Sequence, residues 1–361
     1  MTDVDFIIVG QGLAGTCLAW ELLARGASVR VIDREAAVTS SRIAAGLITP
    51  VTGQRLVKTW RFEELRAAAW EFYRRVESEL DCSLLRDTPM ARVFVTERER
   101  EYFGKRMWDS AYAGLLREMT AFPVGVWAPL GGCELLQGGQ LDVAEFLSKS
   151  RRVWVREGRY VAGELSLPGD VQLLRDRIEL PCWGLRARAL LFCEGIAARS
   201  NPWFSNIEFK PARGEMLTVE IADWNETRIV HGGVWIAPLG PQGVQNNLFR
   251  VGATYDWDQL DSGPTAEGRS SLIASLEQLL HRPYKIVDHQ SAVRPILQQV
   301  NPVIGVHPRY PQLGYFNGLA SKGSLQAPFC ARQLASHLVQ QTPLEREVDL
   351  LFRVPWPGCP S

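Results

Sequence analysis

The sequence predicts an α/β protein in which a Rossmann-like unit is combined with an α+β part built on an antiparallel sheet. The first observation is the stretch FIIVGQGLAGTCLAWELLARGASVRVIDRE, residues 6–35, where an apolar strand, a glycine-rich turn, a helix and a second strand follow in order. The second is a set of short alternating runs, such as ARVFVT and RGEMLTVEI, within residues 83–140 and 212–290. Alternation with period two is typical of strands that bury one face.

Length and composition predict a globular chain of about two domains, because 361 residues that are 46% hydrophobic can bury a large core. Forty basic and forty acidic side chains give a formal net charge of +0, which disfavours a nucleic-acid partner. No stretch reaches the roughly 18 apolar residues of a membrane span, and the start MTDVD lacks the features of a signal peptide. We therefore expect no membrane span and a cytoplasmic protein.

The cysteines predict neither a metal site nor a dithiol redox centre. They occur singly, without a C-x-x-C pair or a histidine at ligand spacing. We expect each to be a small buried side chain in a reducing compartment. The seven are Cys17, Cys82, Cys133, Cys182, Cys193, Cys330 and Cys359.

The N-terminal turn predicts a dinucleotide site. Gly10 allows a sharp reversal, Gly12 lets the backbone approach a pyrophosphate, and Gly15 lets the helix pack closely on the strand. The helix N-terminus then directs free N–H groups at the phosphates, and Gly26 ends the helix after about Arg25. Asp33 closes the second strand, where a carboxylate accepts ribose hydroxyls and disfavours NADP. NAD and FAD both remain open at this point.

The next segment, SSRIAAGLITPVTGQRLVKTW at residues 40–60, favours FAD. A nicotinamide dehydrogenase usually continues into another βα unit, whereas this segment is rich in small residues, hydroxyls and cations, and can lie flat against a large group. Here the chain resembles the D-amino-acid oxidase family of FAD-dependent oxidoreductases, which includes glycine oxidase, sarcosine oxidase and the oxidase half of a tRNA-modifying enzyme. In that family an A-A-G-x-[LIM] segment packs on the flavin, and Ala44, Ala45, Gly46 and Leu47 stand there in this sequence.

The C-terminal part, SAVRPILQQVNPVIGVHPRYPQLGYFNGLASKGSLQAPFCARQLASHL, resembles the family's closing pattern of an R-P strand, P-x-I-G, an apolar strand and a glycine-rich turn into the last helix. The resemblance implies that this helix begins under the flavin, where its dipole and Lys322 stabilise negative charge on the reduced ring. No cysteine falls within 294–304, so we expect FAD to be bound non-covalently. The residues that keep the pattern are Pro302, Ile304, Gly305, Gly318, Gly323 and Pro328.

Fainter resemblances complete the predicted cofactor site. RRVWVREGRYVAGE looks like the middle strand that meets the adenosine, through Val161, and ARALLFCEGIAARS looks like a strand ending in a small-residue turn. Glu194 departs from the family there, because it places an acid where the pyrophosphate passes. The predicted FAD contacts are Gly10, Gly12, Leu13, Ala14, Gly15, Asp33, Arg34, Ser41, Arg42, Ala44, Ala45, Gly46, Leu47, Val161, Cys193, Glu194, Gly195, Gly318, Lys322, Gly323, Ser324 and Leu325.

The order of the segments predicts two interleaved domains with the ligand between them. An FAD-binding domain is assigned to residues 1–82, 141–211 and 291–361, and a substrate domain to residues 83–140 and 212–290. Apolar residues at helical spacing predict a packing helix from Trp60 to Leu80 with Thr59 as its N-cap.

The resemblance also implies candidate substrate residues. Arg294, in the R-P strand, stands where amino-acid-oxidising relatives hold the substrate carboxylate, and a guanidinium can do so through two hydrogen bonds. Arg250 stands where some relatives have a lysine that promotes the reaction with oxygen. The remaining candidates are the aromatic residues His231, Trp235 and Tyr255, which could enclose an amine, and Arg55 and Lys58, which follow the flavin segment.

These features predict an FAD-dependent oxidase of a small amino acid or N-substituted amino acid, which forms an imine and passes electrons to oxygen. The small-molecule substrate is its expected partner. Three alternatives remain open: a dehydrogenase that uses a quinone or carrier protein, a tRNA-modifying oxidase, and a flavin-binding protein without catalysis.

Overall fold

The computed structural model describes residues 1–240, 247–261 and 263–356. Within them the helices are α1 (Leu13–Leu23), α2 (Phe62–Leu80), α3 (Glu97–Arg106), α4 (Val143–Arg156), α5 (Ala266–Leu279), α6 (Gly323–Gln340) and α7 (Leu350–Arg353). The strands are β1 (Thr2–Val9), β2 (Val29–Asp33), β3 (Leu47–Ile48), β4 (Val51–Thr52), β5 (Val57–Lys58), β6 (Leu85–Asp87), β7 (Met90–Val93), β8 (Leu116–Glu118), β9 (Gly132–Leu135), β10 (Gly139–Leu141), β11 (Tyr160–Ala162), β12 (Gln172–Leu173), β13 (Ile178–Leu180), β14 (Leu185–Phe192), β15 (Ala212–Glu220), β16 (Ile229–Gly232), β17 (Val234–Pro238), β18 (Leu248–Gly252), β19 (Lys285–Arg294), β20 (Val303–Val306) and β21 (Leu313–Asn317).

The first large sheet has a parallel centre in the order β11-β2-β1-β14-β21, with β12, β13 and β20 added antiparallel. The predicted strand–turn–helix–strand unit is present as β1, α1 and β2. Phe6 and Ile8 pack into the core on one side of the sheet and Ile7 into the core on the other, which explains the continuous apolar run. Strand order reverses between β1 and β14, and ligands of such sheets bind at the carboxyl ends beside that reversal.

The second large sheet has the order β19-β15-β18-β17-β16-β7-β9-β8. It is antiparallel as predicted, except that β7 and β16 pair in parallel. These two strands are not joined by a hairpin, because the chain between them passes through β11 to β14 of the first sheet. It then enters β16 in the same direction as β7. One face of the sheet, including Leu217 and Val251, packs on Leu272 and Leu276 of α5, so the alternate residues face the other way.

Strand β19 runs across the boundary predicted at 290/291, because it pairs with β15 from Lys285 to Arg294. The first sheet is assembled from residues 2–33, 160–192 and 303–317, and the second from residues 90–135, 212–252 and 285–294. The division of the chain into two interleaved domains stays a prediction that this arrangement supports.

The predicted N-cap of α2 was wrong. The helix begins at Phe62, and the capping position is occupied by Arg61, whose φ is 46°. Thr59 lies three residues before Phe62, and its hydroxyl donates to Thr49 O at 3.0 Å and caps no helix N–H. Arg61 forms ion pairs with Glu64 and Glu345.

The stretch RRVWVREGRYVAGE, residues 151–164, is not the single strand predicted for it. Its first six residues end α4, and only Tyr160–Ala162 form a strand. Helix α4 is capped by Asp142, whose side chain accepts from Glu145 N at 3.0 Å, and it buries Phe146 and Trp154 on one face. The strand that the resemblance implies is thus limited to three residues, because the start of the stretch continues the helical period of α4.

The prediction that every cysteine is buried was wrong for two of them. Cys182 is exposed in a short 3-10 turn and Cys82 is half-buried, whereas Cys17, Cys133, Cys193 and Cys330 are buried. Cys359 lies outside the described residues. In the part of the chain that the structure describes, no helix has both the length and the apolar character needed to cross a bilayer.

Candidate functional site

A cavity of about 840 Å³ lies along the carboxyl ends of β1, β2 and β14 and extends beneath the second sheet. Its volume is in the range of pockets that bind organic ligands, roughly 300–1,000 Å³. The cavity is lined by the turn after β1, the segment 38–53, the start of α6 and residues of β7, β16, β17 and β19. It therefore joins the nucleotide end of the first sheet to the inner face of the second.

The glycine turn forms one end of this cavity. Gly10 has a φ of 100°, and a Cβ there would lie 2.5 Å from Cys193 O. Gly15 packs behind the turn, since its Cβ would lie 1.9 Å from Gly10 O. Gly12 is different, because it has an ordinary φ of −80° and its Cβ would meet only the Ser41 hydroxyl, at 3.1 Å. The space over Gly12 is thus kept open toward the cavity.

Asp33 lies at the end of β2 and lines the cavity. Its Oδ2 accepts from Gln11 N at 2.7 Å and its Oδ1 accepts from Glu35 N at 2.9 Å. Arg34, the next residue, pairs with Glu164 at 3.3 Å. These contacts hold the carboxylate beside the turn, and each oxygen has a further lone pair for a ribose hydroxyl.

The small-residue segment forms the floor of the cavity through Ala44, Ala45 and Gly46. Gly46 has a φ of 73°, and a Cβ there would lie 1.8 Å from Leu141 O, so no other residue fits without moving the backbone. Ser41 accepts from Leu13 N at 3.2 Å and thereby ties the segment to the start of α1. This part of the cavity wall therefore presents few side-chain atoms.

The start of α6 forms the opposite end. Lys322 occupies the N-cap position and lines the cavity together with Gly323, Ser324 and Leu325. Burial lowers the pKa of Lys322 from its ordinary value, and no carboxylate of the described residues lies within 4 Å of it. The helix dipole and this ammonium give that end of the cavity a positive potential.

Most of the predicted cofactor residues line this one cavity. The exceptions are Gly15, Val161 and Gly318. Val161 pairs with Ile32 in the sheet, and Gly163, two residues later, lines the cavity instead. Gly318 packs on Leu297. Those that line it are Gly10, Gly12, Leu13, Ala14, Asp33, Arg34, Ser41, Arg42, Ala44, Ala45, Gly46, Leu47, Cys193, Glu194, Gly195, Lys322, Gly323, Ser324 and Leu325.

Arg294, at the end of β19, lines the cavity from above. Its guanidinium lies 4.1 Å from the centre of the Tyr255 ring, and Nη1 donates to Thr254 O at 3.2 Å. On the other side a Cβ on Gly214 would lie 2.4 Å from Cζ, so the guanidinium lies against a bare backbone. Among the described residues no carboxylate comes within 4 Å of it. Burial lowers its pKa from the ordinary value, yet arginine remains charged at neutral pH.

A row of side chains crosses the inner face of the second sheet, because Arg92 pairs with His231, His231 with Trp235, and Trp235 with Gly252. All four residues line the cavity. Gly252 leaves room for the indole, since a Cβ there would lie 2.7 Å from Trp235 Cζ2. Trp235 and His231, both predicted as pocket residues, are thus brought together over the cavity.

His231 is held neutral. Burial and the charge of Arg92 lower its pKa from 6.5 to about 3, and its buried Nδ1 has no hydrogen-bond partner in the structure. Because the folded-state pKa is depressed, the stability that depends on neutral His231 is present above pH 6.5 and is lost as pH falls toward 3.

Replacing His231 with glutamine should therefore reduce acid sensitivity. We expect the native free energy of unfolding to fall between pH 6.5 and pH 4.5 more steeply than that of His231→Gln, by up to about 1.4 kcal/mol per pH unit. Urea unfolding followed by circular dichroism at several pH values measures this difference. Parallel pH profiles for the two proteins would contradict the neutral assignment.

Arg250 does not line the cavity, so the role suggested for it by resemblance does not fit the structure. It is largely buried and donates from Nη1 to Ile43 O at 2.5 Å, which holds the small-residue segment from above. Arg55 is exposed, and Lys58 pairs with Glu63 at 2.6 Å; neither lines the cavity. Arg250 thus binds a backbone carbonyl, Arg55 lies on the surface, and Lys58 is in an ion pair.

Arg92 is a cavity residue that the sequence analysis missed. It is 4% exposed, its Nε donates to Glu99 Oε1 at 2.7 Å, and its Nη2 donates to Gly53 O at 3.1 Å. The available signal was an arginine inside the apolar run ARVFVT, where a charge must have a buried partner. That partner, Glu99, belongs to the following helix and could not be assigned from spacing in the strand.

A family model described as "DAO: FAD dependent oxidoreductase" matches residues 5–337. The chain belongs to the DAO family of FAD-dependent oxidoreductases. The similar solved structures of this fold include glycine oxidase from Geobacillus kaustophilus, with a TM-score of 0.80, 18% identity, and coverage of 95% of this chain and 96% of that one. Iminodiacetate oxidase from Chelativorans sp. BNC1 has a TM-score of 0.75, 18% identity, and coverage of 95% and 98%.

A relative found by sequence is similar to this chain over nearly its whole length but at low identity. An uncharacterized oxidoreductase of Bacillus subtilis (strain 168), YurR, is 22% identical over 381 residues, covering 94% of this chain and 96% of the relative. The name of that relative specifies no substrate. The comparisons therefore establish DAO-family membership, the fold and FAD as the cofactor.

The residues present fit the FAD of the DAO family. Neither the φ of Gly12 nor the packing around it requires a glycine at this position. The space that the missing side chain leaves open suits the close approach of a pyrophosphate to the backbone. The floor at Ala44 to Gly46, with few side-chain atoms, suits a planar ring, and Lys322 with the start of α6 suits an anionic end. Non-covalent binding of FAD stays an expectation that rests on the sequence, in which no cysteine falls between 294 and 304.

Proposed function

We propose that this DAO-family protein oxidises the C–N bond of a small amino acid, or of an N-substituted amino acid, to an imine. The observation that carries this proposal is Arg294: a guanidinium in the cavity wall with no carboxylate partner among the described residues. A partly buried cation without a counter-ion loses solvation that an anionic ligand can replace. A substrate carboxylate is the simplest such ligand.

The surroundings of Arg294 hold the guanidinium in one orientation. The Tyr255 ring lies on one side, the Gly214 backbone lies on the other, and Thr254 O accepts from Nη1. Nε and Nη2 have no partner in the described structure and remain available to the two oxygens of a carboxylate. Preorganisation of this kind reduces the entropy lost on binding.

The remaining residues exclude water and set the charge. Trp235 and Met216 cover the cavity with apolar surface. The lowered pKa of His231 makes it too weak a base to take a proton from the substrate at neutral pH. Bound FAD supplies the acceptor for the hydride that leaves the substrate carbon. Lys322 and the start of α6 favour the negative charge that follows. An amine that arrives neutral then needs no protein base.

Activity measurements test the proposal directly. We expect yellow purified protein to release peroxide with glycine, N-methylglycine, iminodiacetate or proline, and to react poorly with the matching amines that lack a carboxylate. Reduction of the flavin by an amino acid without peroxide release would replace oxygen by a quinone or carrier acceptor. Absence of flavin reduction across the whole panel would contradict the proposal.

Gly214 should be a positioning residue for Arg294. Because a Cβ at 214 would lie 2.1 Å from Nη2, Gly214→Ala must displace the guanidinium, although the backbone there is ordinary β-strand. Displacement of a binding group by about 1 Å can cost up to roughly a hundredfold in rate. We expect KM for carboxylate substrates to rise by about tenfold or more, with FAD content unchanged.

The matched control is Gly104→Ala in α3, where a Cβ would meet nothing within 4 Å. We expect it to leave KM unchanged. If Gly214→Ala also leaves KM unchanged, or if it releases FAD, Gly214 does not position Arg294 for substrate binding.

A further inference from the structure

Glu194 is an acid at the point where strand order reverses in the first sheet. It follows Cys193, directly after β14, on the side of β14 that faces β1. A Cβ on Gly10 would lie 3.5 Å from the Glu194 Cα, so this residue adjoins the first glycine of the phosphate turn. Glu194 also lines the cavity. An acid here stands next to the part of the site that receives the FAD phosphates.

The carboxyl group has one oxygen bound by protein and one oxygen available. Asn201 Nδ2 donates to Glu194 Oε2 at 2.8 Å, and the Asn201 amide is oriented by Trp203 N, which donates to its Oδ1 at 3.1 Å. Oε1 has no hydrogen-bond partner in the described structure and is not sealed from the cavity. The available oxygen is therefore the one that a bound ligand would meet.

The charges around Glu194 do not neutralise it. Arg34 is the cation nearby, but it pairs with Glu164 at 3.3 Å, and that second acid opposes its effect. Burial is the largest influence and raises the pKa of Glu194 above its ordinary value, although Asn201 acts against it. The polar and titratable groups that face Glu194 from the surrounding elements are Arg34, Glu164, Cys193, Asn201 and Tyr315.

We propose that Glu194 is protonated and neutral when FAD is bound, so that cofactor binding takes up one proton. An ionised carboxylate in a partly dry site beside the two phosphate charges would be repelled, and Arg34, the cation that acts on Glu194, is already paired with Glu164. The proton stays on the carboxyl group, and Oε1–H can donate to a phosphate or ribose oxygen. Asn201 accommodates either form because it only donates to Oε2.

The linkage has a definite sign. A ligand that binds only the protonated form of the protein binds more tightly at low pH. The affinity for FAD therefore falls as the pH rises above the pKa of Glu194 in the FAD-free protein. With one proton involved, the FAD dissociation constant should rise by about tenfold per pH unit in that range. The dependence ends where the FAD-bound protein also loses the proton.

The test measures FAD release from the purified yellow protein. The protein is diluted at pH values from 6 to 9, and free FAD is separated by ultrafiltration and quantified by fluorescence. We expect the native protein to lose FAD progressively as pH rises. Glu194→Gln, which keeps an oxygen for Asn201 and cannot ionise, should retain FAD across this range and should exceed the native affinity at pH 9 by at least tenfold.

Glu118→Gln is the matched control, because Glu118 is an exposed acid of β8 that does not line the cavity and does not act on Glu194. It should keep the native pH dependence. Glu194→Ala provides a second neutral variant if the glutamine variant does not fold, and it should also lose the pH dependence. The proposal is overturned by a native affinity that is independent of pH, by weaker FAD binding in Glu194→Gln at every pH, or by equal shifts in the two glutamine variants. These outcomes concern the cofactor and leave the proposed substrate untouched.

Discussion

Replacing Arg294 with alanine is expected to lower kcat/KM for carboxylate substrates by roughly thirty- to a thousand-fold. The change removes a bidentate, charge-assisted contact in a partly dry pocket, which is worth on the order of 2 to 4 kcal/mol. FAD content should be unchanged, because Arg294 lies on β19 with the substrate residues and not with the glycine turn. Steady-state kinetics and the flavin absorbance of the same preparation measure both quantities.

Three comparisons make the Arg294 result specific. Arg294→Lys should recover little, since a point charge cannot reproduce the guanidinium fork. An amine without a carboxylate should be a poor substrate of the native protein and should lose far less on mutation. Arg117→Ala, at an exposed arginine of β8, should behave as the native protein does. Equal losses for both substrate types, or loss of flavin, would assign Arg294 a structural role.

Replacing Gly12 with valine is expected to yield colourless protein that folds. The backbone of Gly12, with φ of −80° and ψ of −169°, suits a β-branched residue, and its Cβ would meet only Ser41 Oγ at 3.1 Å. The methyl groups would instead enter the cavity where the pyrophosphate approaches the backbone. The loss is measured as the ratio of flavin absorbance at 450 nm to protein absorbance at 280 nm. We expect this ratio to be about a tenth of the native ratio or less.

The control for Gly12 is Gly169→Val, in a surface turn where a Cβ makes only an ordinary contact with Ser166 O at 3.7 Å. It should retain the native flavin content. Circular dichroism of both variants shows whether they fold. Full FAD occupancy in Gly12→Val would mean that the phosphates bind elsewhere.

Local sequence was sufficient for the nucleotide end of the molecule. The apolar run, the three glycines and Asp33 each act within one βαβ unit, so their order in the chain determines their arrangement in space. The small-residue segment and the C-terminal pattern were also recognisable, because they are continuous stretches. The family match over residues 5–337 and the structural neighbours confirm the fold and the cofactor inferred from them.

Long-range contacts decided the rest. Arg250 and Arg294 both stand in strands of the second sheet. Arg250 donates to Ile43 O, 207 residues away, whereas Arg294 lies between Tyr255 and Gly214. Arg92 found its partner in the next helix, and Thr59 lost its capping role to Arg61. Chain order alone could not distinguish these cations, because burial and hydrogen-bond partners arise only when distant segments pack. The identity of the nucleotide site is therefore a local property of this chain, whereas the choice of the arginine that we propose to meet the substrate depends on how the second sheet covers the cavity.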